Sequence, residues 1–259
     1  MLVQRTITNL LKCLNYHPPK VDSERKEYLE EALRSEFSMH SNDKAWFDIV
    51  CAQSAAMAYG FQRGMLGGTV TDKIPIFKHF RNHLVDMYEL WDETPANCIN
   101  TSAMEYINGC SLEETPSIRK MKLKTNARAW PTYLRTKTGV AAAYGFMIFP
   151  RNLHSDISVY IQAIGDICTF IDLTNDVLSF YKETLAGEKT NYIHNRAFIS
   201  GISVEDTLLE VAQDVLDAHT RIVSTLSTED AIRCWKNFVN GYLAFHVTQS
   251  RYRLQDLGF

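Results

Sequence analysis

Residues 155–183 read SDISVYIQAIGDICTFIDLTNDVLSFYKE, and this stretch decides the fold. Ile157, Ile161, Ile164, Ile167, Cys168, Ile171 and Leu178 recur at the intervals of an α-helix and fill more than one of its faces. A helix that is apolar nearly all round has to be enclosed by other helices. The spacing therefore predicts one long helix from Ser155 to Glu183 at the centre of an all-α protein.

The flanking sequence agrees with that reading. Thr132–Phe149 predicts a helix with a kink at Gly139, stopped by Pro150, which cannot continue it. Two earlier helices are expected over Pro75–Glu93, with Ile76, Phe80, Leu84, Met87 and Trp91 on one stripe, and over about Ala96–Glu114. Residues 115–131 are polar and basic and read as a loop. On the other side, Ser203 followed by Asp206 resembles a capping box that opens a helix to about Leu226. Thr228 opens a last helix carrying Ile232, Trp235, Val239, Tyr242 and His246 on one stripe. Toward the N-terminus, Ala45–Phe61 reads as the first core helix. Residues 1–44 read as a polar, lightly helical surface segment, with Asp22 capping a helix over Ser23–Phe37. The glycines of GMLGGTVTDK (64–73) mark a loop; the absence of a preceding strand and of a Gly-Lys-Ser/Thr ending leaves a phosphate-binding loop little support. One domain over 1–259 is expected, with no internal repeat.

Composition narrows the function classes. The chain has 259 residues, 46% hydrophobic and 22% charged, which is enough apolar sequence to form a core and excludes general disorder. Lys and Arg total 27 against 30 Asp and Glu, so there is no basic footprint for nucleic acid. The six cysteines form no Cys-x-x-Cys pair and no Cys/His cluster, and read as free thiols in a reducing compartment. No run of 18 apolar residues is present. The opening stretch MLVQRTITNLLKCLNYHPPK is interrupted by Gln4, Arg5, Lys12 and Asn15 and lacks the apolar core of a leader. A cytoplasmic protein without stable membrane insertion is the expectation.

The chemistry concentrates at the end of the central helix. Asn175, Ser179 and Glu183 are spaced i, i+4, i+8 and drift only about 40° per step at 100° per residue, so they form one stripe. Lys182 stays on that face. An amide oxygen, a hydroxyl and a carboxylate are hard oxygen donors suited to Mg²⁺, and a lysine beside them suits a phosphate that shares the metal. The alternative is a polar helix end leaving the core. Asp172 and Asp176 lie off the stripe and are expected to support it or to face solvent.

The segment NDVLSFYKE (175–183) resembles the NSE-type magnesium motif of class I terpene synthases, and more closely the trichodiene synthase-like fungal sesquiterpene cyclases. YLRTKTGVAAAYGFMIFP (133–150), LWDETPANCINTSAMEYINGCSLE (90–113) and FVNGYLAFHVTQSRYRL (238–254) resemble further segments of that family, in the same order. The resemblance covers about residues 45–259 and implies the helical bundle of class I isoprenoid synthases. It implies that Asn175, Ser179 and Glu183 bind one Mg²⁺, and that Lys182, Arg135 and the terminal pair Arg251 and Tyr252 contact the diphosphate. The activity it implies is Mg²⁺-dependent ionisation of a prenyl diphosphate, farnesyl diphosphate in this family, followed by cyclisation to a sesquiterpene. Tyr59, Phe146, Phe170, Trp235 and Tyr242 are candidates for a cation-tolerant pocket wall, with ordinary core packing the alternative for each. His246 reads as a candidate base or a buried structural histidine.

One expected feature is missing. The family carries an aspartate-rich motif on an earlier helix, and this sequence has no adjacent Asp-Asp pair anywhere. The segments that flank that motif in relatives, AQSAAMAYGF and the glycine-rich stretch before Lys73, nearly abut here, so about one core helix is expected to be absent. Asp86, Glu89 and Glu93 share a helical face and Asp92 adjoins it, but a solvated acidic face is the expectation there; Asp48 is a weaker candidate. A re-packed N-terminal segment, a homodimer across the gap or a shortened gene product would each accommodate the loss. A non-ionising relative that binds a prenyl diphosphate or terpene without turnover is the second functional reading.

Overall fold

The computed structural model describes residues 2–18 and 75–259, and within them every regular element is helical. The α-helices run in order α1 (Leu2–Cys13), α2 (Pro75–Leu90), α3 (Glu93–Glu114), α4 (Pro116–Arg119), α5 (Trp130–Thr138), α6 (Ala141–Met147), α7 (Ile164–Leu185), α8 (Tyr192–Ser200), α9 (Val204–Thr225) and α10 (Glu229–Thr248). Short 3-10 turns occupy Ile157–Val159, Ile161–Ala163, Ser250–Tyr252 and Leu254–Leu257. The expected helices over Ser23–Phe37 and Ala45–Phe61, the glycine-rich loop, Asp48, Tyr59 and the place of the expected helix deletion lie outside the described residues. No helix among the described residues is long and apolar enough to cross a membrane.

Helix α7 is the central rod. Ile167, Phe170, Ile171, Val177 and Leu178 are each at most 1% exposed. Helices α9 and α6 pack along it, and α10 and α1 close further sides. Each fully buried aliphatic or aromatic side chain here is worth roughly 1.5–3 kcal/mol of transfer free energy. The expected long helix begins nine residues later than the periodicity predicts. Asp156 accepts a hydrogen bond from the Ser158 backbone N–H, and Tyr160 departs from helical geometry at φ −138. That departure buries the Tyr160 ring flat against Phe149, with centroids 4.3 Å apart. Tertiary stacking thus overrides an apolar period that continues through Ile157 and Ile161.

The N-terminal residues also need a correction. Helix α1 is no surface segment: Ile7 and Leu10 are 0% and 1% exposed and belong to the main core beside α9 and α7. Its apolar positions recur at three and four, but Gln4, Arg5 and Lys12 on the outer side made the composition read as polar.

The predicted kink at Gly139 is a full break between α5 and α6. A Cβ on Gly139 would overlap Asp172 Oδ1 and crowd the Arg135 guanidinium, so the Arg135–Asp172 contact leaves no room for a side chain here. The next residue, Val140, sits in the left-handed region at φ 49, ψ 19, a costly conformation for a β-branched side chain. The caps behave as expected at two later helices. Ser203 accepts from the Asp206 N–H, and Thr228 from the Ala231 N–H. Helix α8 had not been anticipated. Asn191 caps it through the His194 N–H, and Gly201 ends it at φ 70, where only a residue without Cβ is at ease.

Candidate functional site

The stripe on α7 forms as the spacing predicts, and it faces neighbouring helices. Ser179 is 2% exposed and Asn175 is half-buried. The Ser179 hydroxyl is buried with no hydrogen-bond partner among the described residues. A hydroxyl donates or accepts at almost no cost in water, so an orphan one in a packed interior calls for a ligand or a cost. Asn175 and Glu183 stand one turn below and above it. This donor set, with an unsatisfied oxygen at its middle, fits a hard divalent cation such as Mg²⁺. No cluster of three His, Cys, Asp or Glu side chains is placed to hold a metal among the described residues, so any ion held here takes its ligands from amide and hydroxyl oxygens as well as carboxylate.

Arg135, near the end of α5, approaches the same helix. Its Nε lies 2.9 Å from both carboxylate oxygens of Asp176, and its Nη1 is 3.2 Å from Asp172 Oδ1. Nη2 donates to the Asp172 backbone carbonyl at 2.9 Å and to Asn175 Oδ1 at 3.3 Å. Burial works against the guanidinium charge, but Asp176 and Asp172 outweigh it and hold the group protonated. Burial also pushes the carboxyls up, Asp172 to about 7 and Asp176 to about 6, while Arg135 pulls both down. Asp172 and Asp176 thus support the site and do not face solvent. Their sequence signal was two carboxylates, one turn apart, inside an apolar helix: buried charges of that kind need a cation.

The other end of the stripe is equally engaged. Lys182 Nζ donates to Glu183 Oε1 at 2.9 Å and lies 5.9 Å from the Tyr252 ring centroid. Arg251, exposed, stacks on the same ring at 5.2 Å, while Tyr252 is buried. Asn191 Nδ2 donates to Glu183 Oε2 at 3.0 Å. Burial raises the Tyr252 phenol above its ordinary value. Arg135 thus contacts Asn175, and Lys182 contacts Glu183 and, with Arg251, the Tyr252 ring, while Ser179 lies on the same stripe of α7. A polar pocket of about 160 Å³ opens beside them, lined by Glu113, Asp176, Glu183, Glu188, Asn191 and Asn195 among others. Asn191 had been overlooked because its helix was; Asn at the start of a periodic run, with Gly201 ten residues on, was the available sign.

His246 is 1% exposed and neutral, with burial driving its pKa to about 4. Its Nδ1 lies 2.8 Å from the Tyr242 carbonyl oxygen, and its Nε2 3.0 Å from Asn175 Nδ2. A catalytic base at that position would need an open face, and this ring has none. The candidate pocket aromatics are core residues. Phe146 packs edge-on to Tyr160, Phe170 edge-on to Trp235, and Trp235 donates its indole N–H to His219. Tyr242 donates its hydroxyl to the Ile171 carbonyl at 3.0 Å. Asp86, Glu89 and Glu93 are exposed, and Asp86 lies 3.5 Å from His83.

Comparison with known proteins assigns the family. The trichodiene synthase (TRI5) family model matches residues 38–258. Terpene synthase BipA of Cochliobolus sativus is 37% identical over 69% of this chain and 56% of its own length. Monoterpene synthase 25 of Postia placenta is 33% identical over 76% of this chain and 59% of its own. Longiborneol synthase CLM1 of Gibberella zeae is 35% identical over 71% of this chain and 55% of its own. The chain thus spans about half the length of the curated relatives it matches. With the all-α architecture and a match over most of its residues, the chain belongs to the trichodiene synthase family.

Proposed function

We propose that this chain is a class I terpene cyclase that ionises farnesyl diphosphate with Mg²⁺, releases diphosphate and cyclises the allylic cation to a sesquiterpene. The observation that carries this reading is the orphan Ser179 hydroxyl, flanked on its stripe by Asn175 and Glu183, in a chain of the trichodiene synthase family. Asn175 Oδ1, Ser179 Oγ and the Glu183 carboxylate would hold the ion. Bound Mg²⁺ supplies Lewis-acid stabilisation of the departing diphosphate.

The remaining work falls to the protein's own cations. The leaving group carries roughly three negative charges, and fixed donors around it stabilise that charge without reorganising. Asp176 and Asp172 hold Arg135 so that its Nη2 reaches Asn175. Lys182 and Arg251, gathered around the Tyr252 ring, would supply further positive charge. The allylic C–O bond breaks with both electrons leaving on the diphosphate oxygen. The cation then closes on a double bond of the same chain, and loss of a proton or capture of water ends the sequence. The fifteen-carbon chain length rests on family resemblance; one relative is named a monoterpene synthase and another a longiborneol synthase.

A second reading is favoured by one fact: no Asp-Asp pair exists in the sequence. A protein with half of the metal machinery would bind a prenyl diphosphate without ionising it. Incubation with Mg²⁺ and farnesyl or geranyl diphosphate, assayed for free diphosphate and volatile hydrocarbons, separates the two. Turnover that disappears in Asn175→Ala supports the cyclase; tight binding without turnover supports the second reading and contradicts the first.

A further inference from the structure

We propose that His246 is a positioning residue that holds the NH₂ end of the Asn175 side-chain amide, so that the oxygen is the end left for a cation. The inference rests on the magnesium reading above and extends it to a residue outside the expected ligand and diphosphate-binding set.

An asparagine amide has two ends of similar shape and opposite chemistry. Its oxygen binds a cation; its NH₂ cannot. Asn175 can serve as a ligand only if something fixes the amide the right way round. The Tyr242 carbonyl oxygen can only accept a hydrogen bond, and it lies 2.8 Å from His246 Nδ1, so Nδ1 carries the ring's hydrogen. Nε2 of the neutral ring is then a bare lone pair that requires a donor, and the group 3.0 Å away is Asn175 Nδ2. The oxygen is left to point the other way, where Arg135 Nη2 donates to it at 3.3 Å. A flipped amide would set oxygen against the Nε2 lone pair and NH₂ against the guanidinium, two repulsive contacts in a buried region.

The imidazole is itself held rigidly. It packs edge-on to Tyr242, with centroids 4.6 Å apart, and tilts against Tyr252 at 4.4 Å. Its backbone lies in α10, one turn before the segment that delivers Arg251 and Tyr252. Orientation is thus relayed from a main-chain carbonyl through a ring tautomer to the amide. Partners that orient a metal ligand typically change metal affinity ~10–100-fold when removed.

The test uses the intact chain and Mn²⁺ with inorganic diphosphate as probes. ¹⁵N imidazole NMR of the wild type at neutral pH should show His246 protonated at Nδ1 and bare at Nε2; the opposite tautomer overturns the proposal. Electron paramagnetic resonance should show Mn²⁺ affinity falling about 10–100-fold in His246→Leu. His246→Gln, which restores an acceptor, should recover part of it. Unchanged affinity in a folded His246→Leu overturns the His246 role alone. If His246→Leu does not fold, His246→Gln and the wild-type spectrum decide. No Mn²⁺ binding by the wild type overturns the magnesium reading and this inference with it.

Discussion

Arg135 Nε lies 2.9 Å from each carboxylate oxygen of Asp176, joining two residues 41 positions apart across the interface of α5 and α7. Both side chains are almost entirely buried. The pair anchors Arg135 against α7, where it also reaches Asn175.

Asp176→Ala leaves a buried guanidinium with only Asp172 to compensate it. Breaking one side of such a pair costs about 3–5 kcal/mol, a large part of a domain's total stability. Urea unfolding should show that loss, and Asp176→Asn, which keeps the shape and one acceptor, should lose less. Equal stability of all three proteins would contradict the anchoring role.

Residues 139 and 140 should respond in opposite directions. Gly139→Ala drives a methyl into Asp172 and Arg135 and should destabilise strongly. Val140→Gly removes a strained left-handed valine, worth about 1–3 kcal/mol, against a glycine entropy cost of about 0.5–1 kcal/mol. A higher denaturation midpoint for Val140→Gly is expected; a lower one would show that the valine's packing outweighs its strain.

Ser179→Ala should separate stability from function. Removing a buried hydroxyl with no partner among the described residues should leave the fold unchanged or stabilise it by about 1 kcal/mol. The same change should weaken Mg²⁺ dependence of turnover by ~10–100-fold. A variant that unfolds easily but keeps its metal response would refute this assignment.

Acid should weaken the His219 contribution. Burial and the nearby Lys236 push its pKa below the ordinary 6.5, and its Nδ1 accepts the Trp235 indole N–H at 3.3 Å. The unfolded chain takes up the proton first. This contribution is therefore complete above about pH 6.5 and is lost as pH falls toward the folded-state value. Urea midpoints at pH 8 and pH 5.5 should fall further for the wild type than for His219→Gln, which accepts the same bond without titrating. Parallel curves would count against it.

How legible this was in the sequence depends on the range of the interaction. Ser203 and Thr228 announce their helices because a cap is a contact between neighbours in the chain. The Asn175–Ser179–Glu183 stripe was visible because helical geometry alone aligns it. Ile157 and Ile161 misled, since their period is helical while the stacking of Tyr160 on Phe149 bends the backbone there. Arg135 and Asp176, or His246 and Asn175, have no local sign of their pairing. The family resemblance pointed to Arg135, and spacing put His246 on the inner stripe of its helix, but nothing local pointed to its contact with Asn175, which depends on which ring nitrogen a distant amide meets.

The most direct measurement is calorimetric titration of inorganic diphosphate into the intact chain, with and without Mg²⁺, for the wild type and Glu183→Ala. Binding that requires Mg²⁺ and is lost in Glu183→Ala, at unchanged fold by circular dichroism, is the predicted result. Diphosphate binding that is indifferent to the metal, or absent with it, would contradict the account.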